Sequence, residues 1–203
     1  MMKRKFIFLL FALCAMIVSA QNTKYVNMFM GSSGDNGQLA PGATVPFGVI
    51  CVCPDSDPNT HAGYNYETTK VTGISINRLS GVGCSGGGGN IRIRPLHPSK
   101  ELHINKKTER AVPGYYATAF TNGIQTELTA TNQMAVEKYV YPKEIPAALW
   151  IDFSSCFEAD ATYEYSQAAP TILEGFIHAK TVCGRGMYKL YFSLNTDKPF
   201  KLK

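Results

Sequence analysis

Helical patterning is almost missing from this chain of 203 residues. Beyond residue 20, no stretch repeats apolar side chains roughly every 3.6 residues between helix-capping residues. This absence argues against a helical fold and leaves β-structure as the main expectation.

The net charge of the chain is also small. Beyond residue 20 the chain has 17 Lys and Arg residues against 15 Asp and Glu residues, so its net charge is +2. No basic stripe of the kind that binds nucleic acid or anionic lipid is present. The composition therefore excludes a nucleic-acid-binding protein and favours a neutral partner.

No apolar run has a comfortable length for crossing a membrane. The longest run, residues 6–18, follows three basic residues at positions 3–5 and precedes Ser19 and Ala20. This order predicts a signal peptide over residues 1–20. We therefore expect an exported protein, either periplasmic or at the cell surface or extracellular, with no membrane attachment after cleavage.

Nucleotide-binding signatures are incomplete. Residues 81–86 match G-x-G-x-x-G, but more glycines and a predicted strand follow where a dinucleotide fold requires a helix. No Gly-Lys-Ser or Gly-Lys-Thr phosphate loop occurs. The glycine-rich segment 81–89 is either a flexible connection or a loop whose bare backbone approaches a ligand closely.

Metal-binding patterns are equally weak, and we assign no metal ligand. Cys51 and Cys53 lie two apart on a predicted strand, so they share a face and are expected to pack as small apolar side chains. Residues 55–59 resemble the start of a calcium loop, but Thr60 and Tyr66 stand where Gly and Glu are required. A turn is predicted there instead. The cysteines allow disulfides whose pairing stays open.

Catalytic constellations cannot be picked out either. The acidic residues stand singly on predicted strands or turns, so no two can be assigned as the carboxyl pair of a glycosidase. Ser80 precedes Gly81 but lacks the G-x-S-x-G elbow of a serine hydrolase. The sequence therefore assigns no catalytic residue.

Many stretches of the chain alternate apolar and polar residues with a period of two. Strands are predicted at 49–53, 91–94, 116–120, 124–130, 136–141, 148–153, 172–179 and 187–194. Asn122-Gly123 between two alternating runs predicts a β-hairpin. The expected fold is an all-β, antiparallel β-sandwich formed by one domain over residues 21–203. A turn at 195–199 followed by the start of another strand suggests truncation at the C-terminal end.

Two segments are typical of binding loops. Residues 39–48 contain two prolines and two glycines, so a rigidly shaped loop leads into a buried strand. Residues 61–66 place tyrosines beside His and Asn, which suits stacking on a sugar ring and hydrogen bonding to its hydroxyls. The alternative is that Tyr64 and Tyr66, on one face of a strand, are core or hairpin aromatics.

Several sequence blocks occur together in one order, at 25–31, 41–48, 53–55, 62–66, 73–84, 113–116 and 127–131. In this combination the chain resembles glycoside hydrolase family 92, the calcium-dependent, inverting exo-α-mannosidases. The resemblance covers most of residues 25–194. It implies an N-terminal β-sandwich whose partner is an (α/α)6 barrel that carries the catalytic acid and base and most of the calcium site. By this resemblance the barrel is missing here, and no calcium ligand is assignable to the fragment.

The resemblance also implies that loops of the sandwich help to shape a pocket for mannose-containing N-glycans. Where family members usually have His-Thr-His before Leu-Ser-Gly, this chain has residues 76–78, and Asn90 replaces a usual Asp. The candidate substrate-binding residues are Gly31, His61, Tyr64, Tyr66, Asn77, Arg78, Ser80 and Gly81. The expected function is the N-terminal domain of a secreted α-mannosidase-like glycosidase, inactive alone. The alternative is a free-standing carbohydrate-binding module.

Overall fold

The computed structural model describes residues 22–34, 37–81, 89–99, 101–156 and 161–203. Their ordered elements are a 3-10 turn at Asn22–Tyr25, a second at Val182–Gly184, and the strands β1 Ala43–Thr44, β2 Cys51–Ser56, β3 Lys70–Ser75, β4 Arg92–Pro95, β5 Leu102–His103, β6 Arg110–Val112, β7 Tyr115–Ala119, β8 Gln125–Ala130, β9 Ala135–Val140, β10 Leu149–Asp152, β11 Thr162–Ala169, β12 Ile172–Lys180 and β13 Met187–Asn195. The predicted all-β class is confirmed. The predicted signal peptide and residues 82–88 lie outside the described residues.

The strands form three antiparallel sheets. The first sheet has the order β1-β2-β3-β4-β10, with β5 beside β3. The second has the order β6-β7-β8-β9, and the third has the order β11-β12-β13. None of the helical turns within the described ranges has the length and hydropathy of a membrane span.

The hairpin between β7 and β8 follows directly from its turn residues. Gly123 has a φ of +88°, which residues with a side chain rarely adopt, and its N–H donates to the Phe120 carbonyl at 3.0 Å. The resulting register pairs Tyr116 with Leu128. Every second residue of β8 is buried, and in β7 Ala117 is buried together with its neighbours Tyr116 and Thr118. The predicted hairpin and its buried face are confirmed.

Two apolar clusters hold the sheets together. The first lies between the β1–β3 side of the first sheet and the second sheet, and it includes Val52 and Leu128. The second joins β4 and β10 to the third sheet and includes Ile93 and Ile177. Tyr139 packs against both clusters. The predicted sandwich is confirmed, and the layer opposite the first sheet is divided between the other two sheets.

Two local predictions are corrected. Asp55 and Ser56 lie in β2 because they pair with β3, so the predicted turn begins only at Asp57. No further strand forms in residues 196–203. Phe200 instead packs against the second cluster, and its N–H donates to the Pro170 carbonyl at 3.0 Å.

The cysteines of β2 are packed thiols. Cys53 belongs to the first cluster, and burial raises the pKa of both Cys51 and Cys53. A raised pKa keeps these thiols protonated and unreactive at neutral pH. The expectation that they pack as small side chains is confirmed. Cys183 is disulfide-bonded.

Candidate functional site

The proline- and glycine-rich block 39–48 forms a tight turn against β2. A Cβ at Gly42 would lie 2.8 Å from the Cys53 Cβ, so only glycine allows this approach to the strand. The turn is closed by the Gly48 N–H, which donates to the Val45 carbonyl at 3.0 Å. The positive φ of this turn falls on Phe47, at +61°, and not on either glycine. The Phe47 side chain is fully exposed.

Three loops meet beside the first sheet: loop A (27–34 and 37–40), loop B (57–69), which joins β2 to the start of β3, and loop C (76–81), which leaves the end of β3. Backbone hydrogen bonds join them, because the Tyr66 N–H donates to Ser32 at 2.9 Å and the Gly81 N–H donates to Gln38. Loop A therefore contacts both of the others. We call this assembly the loop cluster, and its loops contain all eight predicted substrate-binding residues.

Gly31, Ser80 and Gly81 lie on the exposed side of the loop cluster. Gly31 has a φ of +72° and Gly81 a φ of +73°, and both values favour glycine. A Cβ at Gly31 would also lie 3.1 Å from the Leu39 side chain. These positions present backbone groups and a hydroxyl that a polar ligand could contact.

Tyr66 supplies an exposed aromatic ring in the loop cluster. The ring is 45% exposed and packs at a tilt against Phe29, with 5.1 Å between the ring centroids. The Lys106 ammonium lies 4.7 Å from the Tyr66 centroid. Contacts on two sides hold the ring in place and leave its remaining surface open to a ligand.

Tyr64 is fully buried, so its role differs from that of Tyr66. Its hydroxyl donates to the Glu109 carboxylate at 2.5 Å and accepts from Lys106 at 3.0 Å. Tyr116 donates to the same carboxylate at 2.7 Å, and Lys106 forms an ion pair with it at 2.8 Å. Burial, followed by the Glu109 charge, raises the pKa of Tyr64 well above its ordinary value.

The two tyrosines were expected to share one face of a strand, and this expectation is wrong. Residues 64–66 lie in loop B, where Tyr64 enters the first cluster and Tyr66 faces outward. The core interpretation therefore describes Tyr64, while only Tyr66 has an exposed ring. Tyr64 can influence a ligand only through the position of Lys106 and of loop B.

Arg78 is buried beneath loop B. Its guanidinium pairs with Asp55, donates to the Ser75 hydroxyl at 3.0 Å and donates to the Ala62 carbonyl at 2.6 Å. Burial lowers the pKa of Arg78. Since the Arg78 side chain has no exposed surface, it fixes loop B to the first sheet instead of facing solvent.

Asn77 and His61 are half-buried at the edges of the loop cluster. The Asn77 amide donates to the Asn90 side chain at 2.9 Å, and Asn90 accepts a further hydrogen bond from Tyr188 at 2.7 Å. Asn90 also donates to the Ser155 carbonyl at 3.1 Å. These contacts connect loop C to the third sheet, so Asn77 helps to hold loop C in position.

Sequence reasoning missed Phe29, Lys106 and Glu109. The only available signal was the spacing of Lys106 and Glu109, three residues apart, which is common for surface ion pairs. Here the Glu109 side chain is 1% exposed, so the pair is largely buried and supports loop B from below. Among the described residues, no group of three or more His, Cys, Asp or Glu side chains could hold a metal ion.

Comparisons with known proteins agree with this geometry. The model of the glycosyl hydrolase family 92 N-terminal domain matches residues 25–203. A curated protein of Arthroderma benhamiae, described as an uncharacterized secreted glycosidase, is 32% identical over 136 residues, which cover 59% of this chain and 17% of that protein.

Solved structures give the same result. A family GH92 α-mannosidase from Bacteroides thetaiotaomicron has a TM-score of 0.75 and 26% identity, over 87% of this chain and 26% of that chain. A GH92 family glycosyl hydrolase with a TM-score of 0.77 and 24% identity shares the fold over 87% of this chain and 26% of its own. The chain thus spans about a quarter of the length of these solved relatives. Because the family model covers nearly all of it, the chain belongs to glycosyl hydrolase family 92 and corresponds to the N-terminal domain of that family.

Proposed function

We propose that this chain is the pocket-forming N-terminal domain of a secreted, calcium-dependent exo-α-mannosidase that acts on mannose-containing N-glycans with inversion. Membership of a family whose solved members include mannosidases supports the activity. The description of the curated relative as secreted supports export, together with the basic and apolar start of the sequence.

The observation that carries the pocket role is the exposed Tyr66 ring within the loop cluster. A pyranose has an apolar CH face that stacks on an aromatic ring, while its hydroxyls need polar partners. Tyr66 supplies the ring, and the exposed Ser80 supplies a hydroxyl on the same assembly. The Gly31 carbonyl and the Gly81 N–H hold the loops together through Leu39 and Gln38. In this proposal the chain orients the sugar.

Inverting hydrolysis needs a carboxylic acid and a carboxylate on opposite faces of the sugar, with room for a water molecule. In the described residues, Asp55 pairs with Arg78, Glu109 is enclosed by tyrosine hydroxyls and Lys106, and Glu127 pairs with Lys138. These three carboxylates have structural partners. Because the resemblance to family 92 implies that the barrel carries the acid and base, we place both in the remainder of the enzyme. Among the described residues, no group of three or more His, Cys, Asp or Glu side chains could hold a metal ion, so in this proposal the calcium site also lies in the remainder of the enzyme.

An exposed apolar patch supports packing against that remainder, for which we propose the (α/α)6 barrel. Phe47, Val49, Met134 and Val136 are all exposed, and the Val49 N–H donates to the Asn132 carbonyl at 2.9 Å. The left-handed conformation costs an exposed phenylalanine about 1–2 kcal/mol. Since the solved relatives are about four times as long as the matched part, a covering domain explains both the strain and the exposure.

The pocket role is tested with Tyr66→Ala in the full-length enzyme. We expect KM for an α-mannoside to rise about tenfold, because the stacking surface is lost. Tyr191→Ala is the matched control, since Tyr191 is an exposed tyrosine on the third sheet. Equal effects of the two substitutions would contradict the pocket role. Turnover of α-mannosides by the 203-residue chain alone, with calcium, would contradict the placement of the acid and base.

A further inference from the structure

The third sheet has the first three strands of a recurring β-sheet motif. β11, β12 and β13 follow one another along the chain, and each pairs antiparallel with the next. A Greek key consists of three such strands and a fourth that returns by a longer connection to lie beside the first. Because most β-sandwiches contain this motif, the free side of β11 is the position to examine for a fourth strand.

The free edge of β11 has little protection. Among the described residues, β11 pairs with β12 alone. Its eight residues include no Lys and no Pro, and Glu164 is its only charged residue. Long edge strands usually carry such residues or are covered, because their unpaired N–H and C=O groups can pair with another strand. The composition of β11 therefore favours a covered edge.

The inward face of β11 is only partly covered. Tyr163 lies opposite Ile177 of the second apolar cluster, and Tyr165 lies two residues further along the same face. Both tyrosines nevertheless remain exposed, by 45% and 48%. Their rings are stacked, with 6.2 Å between the centroids. Two aromatic rings on the core side of the sheet therefore form one open surface.

The position of Phe153 shows where these rings are open. The Phe153 ring centroid lies 5.0 Å from that of Tyr165 and 5.1 Å from that of Phe192. Tyr165 and Phe192 lie on either side of Gly175, in the strands that flank β12. Phe153 therefore packs over β12. The uncovered part of Tyr165 faces away from β12, toward the free edge of β11.

The chain leaves β13 in the direction of this edge. It first passes the turn between β11 and β12, where the Thr196 N–H donates to the Thr171 carbonyl at 3.0 Å. It then reaches β11, because the Phe200 carbonyl accepts from the Gln167 side chain at 3.2 Å. Residues 196–200 therefore lead from the third strand of the motif toward the first.

We propose that, in the full-length enzyme, the segment that follows Lys203 adds a strand to the free edge of β11 and completes a Greek key. Since Phe200 lies at the end of β11, a strand that begins there runs back along β11 and is antiparallel to it. Every second side chain of this strand covers the open sides of Tyr163 and Tyr165. The solved relatives are about four times as long as the matched part, which leaves ample length for such a segment.

Amide hydrogen exchange in the full-length enzyme and in the 203-residue chain tests this pairing. Residues 162–169 should exchange about tenfold more slowly in the full-length enzyme, because N–H groups on the free edge gain hydrogen-bond partners. β6, an edge strand of the second sheet, is the control and should exchange equally in both proteins.

A pair of substitutions in the full-length enzyme adds a second test. Tyr165→Asp should restore fast exchange of residues 162–169, because a carboxylate replaces the ring that the added strand covers. Tyr191→Asp is the matched control and should leave this exchange slow, since Tyr191 lies on the opposite face of the third sheet.

Equal exchange of residues 162–169 in the two proteins would overturn the proposal. Slow exchange in the 203-residue chain that depends on its concentration would also overturn it, because the edge would then pair with a second copy. So would equal slowing of β6 and β11, since general stabilisation would explain both. These measurements involve no sugar and no metal ion, so their failure is distinct from failure of the pocket role.

Discussion

The stability of this domain should fall as pH rises, because of one carboxyl group in β9. Glu137 lies opposite Leu128, with its carboxyl group on the buried face of the second sheet. The Tyr139 hydroxyl donates to its Oε2 at 2.5 Å, but its buried Oε1 has no hydrogen-bond partner among the described residues. Burial raises the pKa of Glu137 from 4.5 to about 8.

The sign of the effect follows from proton binding. Between pH 4.5 and about 8 the folded chain holds a proton on Glu137 that the unfolded chain has released. The free energy of unfolding therefore decreases with increasing pH in this window, by at most about 1.4 kcal/mol per pH unit. Over the whole window the loss is roughly 3–5 kcal/mol, a large part of the usual stability of a domain.

Glu137→Gln tests this account. Glutamine has nearly the shape of the protonated carboxyl and cannot ionise, so stability at pH 5 should change little while stability at pH 8 should increase by several kcal/mol. The assay is urea unfolding followed by circular dichroism at pH 5, 6, 7 and 8. Glu164→Gln, at an exposed position of β11, is the control. A wild-type stability that does not change across this range, or an equal effect of Glu137→Gln at pH 5 and pH 8, would refute the reasoning.

Two further substitutions test the buried ion pair and the strained turn. Arg78→Ala should lower the free energy of unfolding by about 3–5 kcal/mol in urea titrations, because it leaves the buried Asp55 carboxylate without its cation; Arg78→Ala combined with Asp55→Ala should cost less than Arg78→Ala alone. Phe47→Asn should stabilise the chain by about 1 kcal/mol, since asparagine tolerates the left-handed conformation and the phenylalanine ring is fully exposed. The same Phe47→Asn change should lower the melting temperature of the full-length enzyme if the patch is covered there, and an increase in both proteins would contradict the docking proposal.

Strands that alternate strictly could be predicted from the sequence, and strands that do not alternate were missed. Between residues 116 and 130 the even-numbered positions apart from Asn122 are buried, and of the odd-numbered positions only Ala117 is. Asn122-Gly123 determines the pairing of the two strands. β3 was missed because Gly73, Ile74 and Ser75 are all buried, so both of its faces are covered and no alternation remains. β11 was missed because its eight residues are mostly exposed and polar, and it forms by pairing with β12.

The candidate site could be located from the sequence but not assembled. The family blocks brought Gly31, Tyr66 and Gly81 into one list, and the structure joins their loops through backbone hydrogen bonds. Burial could not be predicted, since Tyr64 and Tyr66 have the same side chain two positions apart. The difference arises because Glu109 and Lys106, more than forty residues later, provide polar partners for the Tyr64 hydroxyl.

Local chemistry in the sequence was enough to determine the β-class and the hairpin, because turn residues and alternation act over a few neighbouring positions. The family followed from the order of the sequence blocks. Tertiary structure alone decided which polar side chains are enclosed, such as Arg78 beneath loop B, and which aromatic rings remain open, such as Tyr66 and Trp150. Whether a side chain is buried depends on which distant parts of the chain pack against it. The role of a charged group or an aromatic ring is set by these contacts.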